Sequence, residues 1–270
     1  MNSDLFNQIR ILPIDRIIPF EQLPSIDPDL TVSDCHLVRD PFLVAPLDNE
    51  HYVLLDDTDT FAELISCGVT ELPVQIIGCN QVSITSPRLG LDGFSFEDLS
   101  RLASKYPEEI RLSEKLDNTT DNTALRLCFD FADRPPVYAY LNHPKSGGCP
   151  RALQLIFETI EYRGGYQPEV RLDGLTPRLM RRRNYTCLLT LPNPTLADIE
   201  RAALDRRYYP LRIVSVSTAL RALQIDLSVA VLTSDLPLSE KEAYLRDLIV
   251  YRHQSSRTSS YEGRIYLFNR

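Results

Sequence analysis

Tryptophan is absent from this chain of 270 residues, and only two methionines and four histidines are present. No apolar run approaches the roughly 18 residues that a membrane-spanning helix needs. Residues 1–15 include early acidic and polar side chains and no apolar core of the kind that a secretory signal carries. These absences predict a cytoplasmic protein without a membrane partner.

Cysteine and histidine pairs with the spacing of metal ligands are also missing. The six cysteines are scattered and none forms a C-x-x-C pair, so free thiols in a reducing compartment are the better interpretation. No two histidines are spaced as ligands, and the chain lacks both a Gly-flanked serine nucleophile and a Walker-type loop. The sequence therefore indicates neither a structural zinc site nor a serine-hydrolase triad.

Acidic side chains outnumber basic ones, 37 against 29, so the formal net charge is −8. This balance disfavours indiscriminate binding to nucleic acid. One local exception is a basic run that includes Arg181, Arg182 and Arg183, with Tyr185 as a neighbour that could stack on a base. We interpret this run as a weak candidate for a DNA contact, and a solvated segment between elements is the alternative.

The first part of the chain has the pattern of a small sheet with one helix. Residues 11–17 alternate as a strand does, and prolines confine this strand to an edge. Two further strands, 42–44 and 52–55, flank a turn-forming cluster and predict a hairpin. A helix is predicted next, and Gly68 lies where a left-handed residue would end it. Residues 72–77 then close the segment as a strand.

The remaining residues mix helices and strands in a different order. Capping signals at Ser95, Thr195 and Ser239 predict three helix starts, and an apolar stripe predicts another helix over 151–163. Strands are predicted at residues 125–131, 137–141, 185–191, 211–216, 223–232 and 264–268, the almost continuously apolar 223–232 being central. Hairpins with segregated helices favour an α+β fold.

Several of these segments resemble the ParB/sulfiredoxin superfamily, and within it the free L-serine kinases, including those of siderophore gene clusters. The matching segments are residues 12–17, 40–44, 52–56, 68–69 and 72–74, followed later by 221–227, Tyr261 and 265–268. Segment 221–227 is similar to the family's Arg-x-Leu-Asn-x-x-Val/Leu strand. The resemblance covers most of the chain and implies a ParB/sulfiredoxin-like domain over 1–84 and a serine-kinase-like domain over 85–270.

In that family the second hairpin strand is followed by a phosphate-binding loop, Asp-Gly-x-His-Arg. Glycine lets the backbone approach the phosphate, and His and Arg donate charge-assisted hydrogen bonds beside a helix N-terminus. The matching positions here are Asp56, Asp57, Thr58, Asp59 and Thr60, so only the leading Asp remains. A carboxylate in place of these donors repels a phosphate by roughly 1–4 kcal/mol.

The resemblance also assigns roles to individual residues. It implies that Glu21 is the catalytic base and that Asp56 shares the catalytic site, while residues 57–60 hold the nucleotide and Arg221 meets the substrate carboxylate. An exposed loop acid is the alternative for Glu21, a helix N-cap for Asp56, and a salt bridge for Arg221. Asp56 and Asp59, together with Asp57 and Glu21, are further candidates for binding a divalent cation through oxygen ligands.

The substituted loop leaves three functional hypotheses. The first is a metabolite-binding pseudoenzyme or regulator in amino-acid or siderophore metabolism, with lost or altered phosphotransferase activity. The second is an active kinase of L-serine or another small hydroxylated metabolite, and the third is a DNA-binding transcriptional regulator. The cofactor is accordingly ATP or ADP with Mg²⁺, or none.

Overall fold

The computed structural model describes residues 8–26, 36–116, 124–142, 150–169, 185–255, 258–261 and 265–268. The chain forms two compact units, one that combines 1–83 with 216–270 and one that spans 84–215. The sequence interpretation ended the first domain at 84 but placed all of 85–270 in the second. The structure differs because residues 216–270 return to the first unit, where their apolar side chains join the core of its sheet.

The first unit is built on a five-stranded mixed sheet with strand order β1-β6-β4-β5-β2. Its amino-terminal elements are β1 (Ile9–Pro13), β2 (Ile17–Pro19), β3 (Leu37–Val38), β4 (Phe42–Pro46), β5 (Tyr52–Leu54), α1 (Thr58–Ser66), β6 (Glu71–Ile76) and β7 (Val82–Thr85). Strands β4 and β5 form the predicted antiparallel hairpin. Pro13 and Pro19 end the two outermost strands, so this region does lie at sheet edges. The single strand predicted over 11–17 is wrong, because a 3-10 turn at Ile14–Arg16 separates β1 from β2.

Helix α1 forms because its apolar side chains recur at helical spacing. Phe61 and Leu64 are buried, and the Phe61 ring packs edge-on against Phe42 of β4 with ring centroids 6.0 Å apart. Gly68 has φ +78°, the left-handed conformation that ends a helix after its last turn. Because β5 ends at Leu54 and α1 begins at Thr58, the short loop between them lies at the amino end of the helix.

The second unit is a six-stranded antiparallel sheet with strand order β12-β8-β13-β10-β11-β9. Its elements are β8 (Arg88–Leu91), α2 (Phe96–Lys105), β9 (Ile110–Ser113), β10 (Ala124–Phe131), β11 (Val137–Asn142), α3 (Arg151–Arg163), β12 (Tyr166–Glu169), β13 (Cys187–Thr190) and α4 (Leu196–Asp205). Capping boxes at Ser95 and Thr195 start α2 and α4 as predicted. The predicted α+β class is confirmed.

Gly90 in β8 lies against the ring of Tyr185. A Cβ atom at this position would lie 2.3 Å from Tyr185 Cε2, so we expect Gly90→Ala to lower the free energy of unfolding by about 1–3 kcal/mol through overpacking. Urea denaturation measures this change. In a Tyr185→Ala background the same substitution should cost much less, and an equal cost in both backgrounds would contradict the steric explanation.

The carboxy-terminal elements return to the first unit, and here the strand predictions were partly wrong. The elements are β14 (Ser215–Thr218), which pairs with β7, then β15 (Arg221–Leu223), β16 (Leu227–Ser228), α5 (Val229–Leu232), α6 (Leu238–Gln254), β17 (Thr258–Tyr261) and β18 (Ile265–Phe268). The predicted strand 223–232 is broken because Gln224 and Asp226 have φ of 58° and 44°. The predicted strand 211–216 is likewise interrupted at Arg212, whose φ is 61°.

Helix α6 starts without the predicted capping box at Ser239. Pro237 is its N-cap and makes no side-chain hydrogen bond to the helix. Glu242, the expected partner of Ser239, instead accepts a hydrogen bond from Arg10 Nε at 2.7 Å. None of the helices in the described part of the chain combines the length and apolar character that crossing a bilayer requires.

Candidate functional site

The loop between β5 and α1 has a left-handed residue at the position where the resemblance places a glycine. Asp57 adopts φ 50° and ψ 45°, a left-handed conformation that suits glycine and that aspartate tolerates. Its carboxylate accepts a hydrogen bond from the Thr60 backbone N–H at 3.4 Å and caps α1. An N–H group at the helix N-terminus, the type of donor that binds an anion, is therefore occupied by the protein's own carboxylate.

Asp56 is held by both of its carboxylate oxygens. Oδ1 accepts from the Leu43 backbone N–H at 2.6 Å, and Oδ2 accepts from Arg221 Nη2 at 2.6 Å. Burial raises the pKa of the Asp56 carboxyl, which the Arg221 guanidinium and the Leu43 N–H oppose. The N-cap interpretation of Asp56 is wrong, because Asp57 fills that position.

Arg221 reaches this loop from β15. Besides Asp56, its guanidinium donates from Nη1 to the Pro41 carbonyl at 2.8 Å. Arg221 thus forms the ion pair that was the alternative interpretation, and its contact with a substrate carboxylate stays a prediction. The pair is partly accessible, since 16% of the Arg221 side chain and 25% of the Asp56 side chain remain exposed.

Gln75 is a residue of this site that the sequence interpretation missed. It is fully buried in β6, its Nε2 donates to the Leu220 carbonyl at 2.9 Å, and its Oε1 accepts from the Ala222 N–H at 2.9 Å. It therefore fixes the backbone on both sides of Arg221. The available signal was a lone amide in the apolar strand ELPVQI, because a buried polar side chain requires partners.

Glu21 is buried rather than exposed, so the interpretation as an exposed loop acid is wrong. Only 7% of the residue is accessible, and its Oε2 accepts a hydrogen bond from Thr58 Oγ1 at 3.2 Å. Thr58 is the first residue of α1. The structure thus brings the predicted base to the loop that the resemblance identifies with phosphate binding.

The candidate cation ligands do not form a larger cluster. Over the described ranges, no three His, Cys, Asp or Glu side chains come together as metal ligands would. The oxygens of Asp56 are bonded to Leu43 and Arg221, and Asp57 caps the helix to which Asp59 belongs. The Asp56 and Asp57 carboxylates therefore have different partners, and cation binding by Asp56 and Asp59 stays a prediction.

The segment after Arg221 is fixed in a strained conformation beside the loop 39–41. The Gln224 N–H donates to Asp40 Oδ1 at 2.5 Å, and the Asp226 N–H donates to the Arg39 carbonyl at 3.1 Å. Arg252 Nη1 of α6 donates to the Gln224 carbonyl at 2.8 Å. Two left-handed non-glycine residues this close together are unusual, and such strain clusters at functional sites.

The basic run Arg181, Arg182 and Arg183 lies outside the described residues. The DNA contact assigned to it stays a prediction.

Solved structures with this fold include SbnI and free serine kinases. SbnI from Staphylococcus aureus, solved with a carboxy-terminal truncation, is 18% identical, with a TM-score of 0.71 over 94% of this chain and 100% of that one. A free serine kinase in complex with AMP is 14% identical, with a TM-score of 0.62 over 83% and 93% of the two chains. A Glu-to-Ala variant of free serine kinase in complex with ADP is 13% identical, with a TM-score of 0.61 over 83% and 94%.

No protein-family model and no curated protein sequence matches this chain. The identities to the solved structures are low, so the likeness establishes the fold. The chain has the α+β fold of SbnI and of free serine kinase, which confirms at the level of structure the resemblance read from the sequence.

Proposed function

We propose that this protein is a serine-kinase-like pseudoenzyme that binds a small serine-like metabolite, or regulates its use, without transferring a phosphoryl group. The observation that carries the proposal is the Asp57 carboxylate bonded to the Thr60 N–H at the amino end of α1. In free serine kinases, to which the sequence is similar, glycine stands at this position. The resemblance to siderophore-cluster members suggests amino-acid or siderophore metabolism as the setting.

The electrostatics of the loop support this proposal. A nucleotide phosphate at the helix N-terminus would meet the carboxylates of Asp57 and Asp59, and residues 56–60 include no cationic side chain. Repulsion between unit charges at contact distance is about 1–4 kcal/mol for each carboxylate. Arg221, the guanidinium that does reach the loop, is bonded to Asp56. Tight binding of a transferable phosphate is therefore disfavoured.

One observation favours the second candidate, an active nucleotide-dependent kinase. Glu21, the residue at the position of the family's base, is buried and contacts the loop through Thr58. A buried carboxylate within reach of a hydroxyl is the arrangement that general-base catalysis uses. Because solved free serine kinases include complexes with AMP and ADP, the kinase hypothesis names the same nucleotides, with Mg²⁺, as cofactors to be tested.

The purified protein is expected to form no O-phosphoserine above the no-enzyme background when incubated with L-serine, ADP or ATP, and Mg²⁺. Mass spectrometry of the product mixture measures this result. The Glu21→Gln variant is the matched control, because it removes the candidate base while keeping a side chain of the same shape. Product formed by the natural chain and lost in Glu21→Gln would overturn the pseudoenzyme proposal and establish the kinase.

A further inference from the structure

We propose that Arg221 is the anion-recognition residue of this site and that the Asp56 carboxylate is its internal occupant. The ligand would be a small oxyanion, the carboxylate of an amino acid or a phosphate group, which must displace Asp56 to reach the guanidinium. The inference rests on the proposed function in one respect, since it concerns the same loop. It adds the chemical class of the ligand and the contact that opposes its binding.

The first argument is that Arg221 is positioned by groups other than Asp56. Gln75 fixes the backbone on both sides of Arg221, through the Leu220 carbonyl and the Ala222 N–H, and the Pro41 carbonyl accepts from Nη1. Removing the Asp56 charge therefore leaves one hydrogen bond of the guanidinium itself, to Pro41, and two that fix the backbone on either side of Arg221. The guanidinium is prepared for an anion independently of the carboxylate that now occupies it.

The second argument concerns what Asp56 occupies. Its Oδ2 lies 2.6 Å from Arg221 Nη2 and its Oδ1 lies 2.6 Å from the Leu43 nitrogen. A guanidinium and a backbone N–H that converge on one carboxylate are the donor types that bind carboxylate and phosphate ligands. Because the Arg221 and Asp56 side chains are both partly exposed, a solute can reach the pair.

The third argument is that neighbouring charge makes the natural site bind anions weakly. Asp40 and Asp57 lie close enough to act electrostatically on the Asp56 carboxyl. With Asp56 they outnumber the single guanidinium, so an entering anion meets repulsion and also has to separate an ion pair. Removal of the Asp56 charge relieves both penalties, whereas removal of a more distant charge does not.

The test compares Asp56→Asn with Asp247→Asn by isothermal titration calorimetry. The probes are L-serine for the carboxylate source and inorganic pyrophosphate for the phosphate source. Asp56→Asn keeps an oxygen that can accept from the Leu43 N–H, and Asp247→Asn makes the same change of charge at an exposed position of α6. We expect Asp56→Asn to bind at least one probe at least tenfold more tightly than the natural chain, and Asp247→Asn to change affinity less than threefold.

Adding Arg221→Gln to Asp56→Asn should abolish the gain. No gain with either probe, an equal gain in Asp247→Asn, or a gain that survives Arg221→Gln would each overturn the proposal. If Asp56→Asn does not fold, carbon-13 NMR of the natural chain replaces it. High pyrophosphate or L-serine should then shift the Asp56 carboxyl resonance, and an unchanged resonance with both would overturn the proposal. Neither readout depends on phosphoryl transfer, so failure here is distinguishable from failure of the pseudoenzyme proposal.

Discussion

Gln75→Leu is expected to lower the free energy of unfolding of the first unit by about 2–5 kcal/mol. The substitution nearly preserves volume, but it leaves the Leu220 carbonyl and the Ala222 N–H without the partner that the amide provides. Each buried polar group left unsatisfied costs about 1–3 kcal/mol. Urea denaturation measures the total, and hydrogen–deuterium exchange of residues 220–223 measures the local effect, because the Ala222 N–H should exchange much faster.

Gln167→Leu is the matched control for Gln75→Leu. Gln167 is also a strand glutamine, but it is exposed in the edge strand β12 of the second unit, where its Oε1 accepts one long hydrogen bond, 3.5 Å from Tyr185 Oη. Exposed substitutions of this kind change the free energy of unfolding by less than about 0.5 kcal/mol. Equal effects of the two variants, or unchanged exchange at Ala222 in Gln75→Leu, would show that the amide does not hold the returning segment.

The fold could be predicted from the sequence wherever a local pattern decided it. The β4–β5 hairpin, the left-handed Gly68 and the capping boxes at Ser95 and Thr195 depend on residues close together in sequence. The path of 216–270 depends instead on distant contacts. Apolar spacing shows that a face is buried and does not show which core buries it, so the return of this segment to the first unit was missed.

The strand prediction over 223–232 failed because an apolar pattern shows burial and does not show backbone conformation. Its apolar residues are buried as expected, among them Ile225, Leu227 and Leu232. The chain nevertheless turns at Gln224 and Asp226, where the Gln224 N–H donates to Asp40 and the Gln224 carbonyl accepts from Arg252. Neither residue type demands a positive φ, so composition alone could not locate the break.

The candidate site was predicted only in part, because some of its contacts join residues that are far apart in sequence. The position of the loop 56–60 follows from a strand followed by a helix, and Glu21 was identified through the family resemblance. Gln75 and the Asp56–Arg221 pair depend on residues separated by at least 145 positions in the chain. The cation hypothesis for Asp56 and Asp59 stays a prediction, because sequence spacing does not show which donors acids in one loop contact, and Asp56 and Asp57 bond to different ones.

Restoring the family's loop with Asp57→Gly, Asp59→His and Thr60→Arg is expected to raise the affinity for ADP about 100-fold. The change removes two carboxylates and adds a guanidinium and an imidazole, and each charge-assisted hydrogen bond to phosphate is worth more than a neutral one. Glycine suits the φ of 50° at position 57. Replacing an N-cap aspartate by glycine costs only a few tenths of a kcal/mol, so α1 should remain folded. Calorimetry with ADP measures the gain.

The control that isolates repulsion is Asp57→Gly with Asp59→Asn, which removes the same two carboxylates and adds no cation. If repulsion alone weakens binding, this control should gain as much as the triple variant. If donors are also required, the triple variant should bind at least tenfold more tightly than the control. A triple variant that folds and yet binds ADP no better than the natural chain would show that the anion pocket is lost from this loop, because its backbone shape and its donors would then be insufficient together.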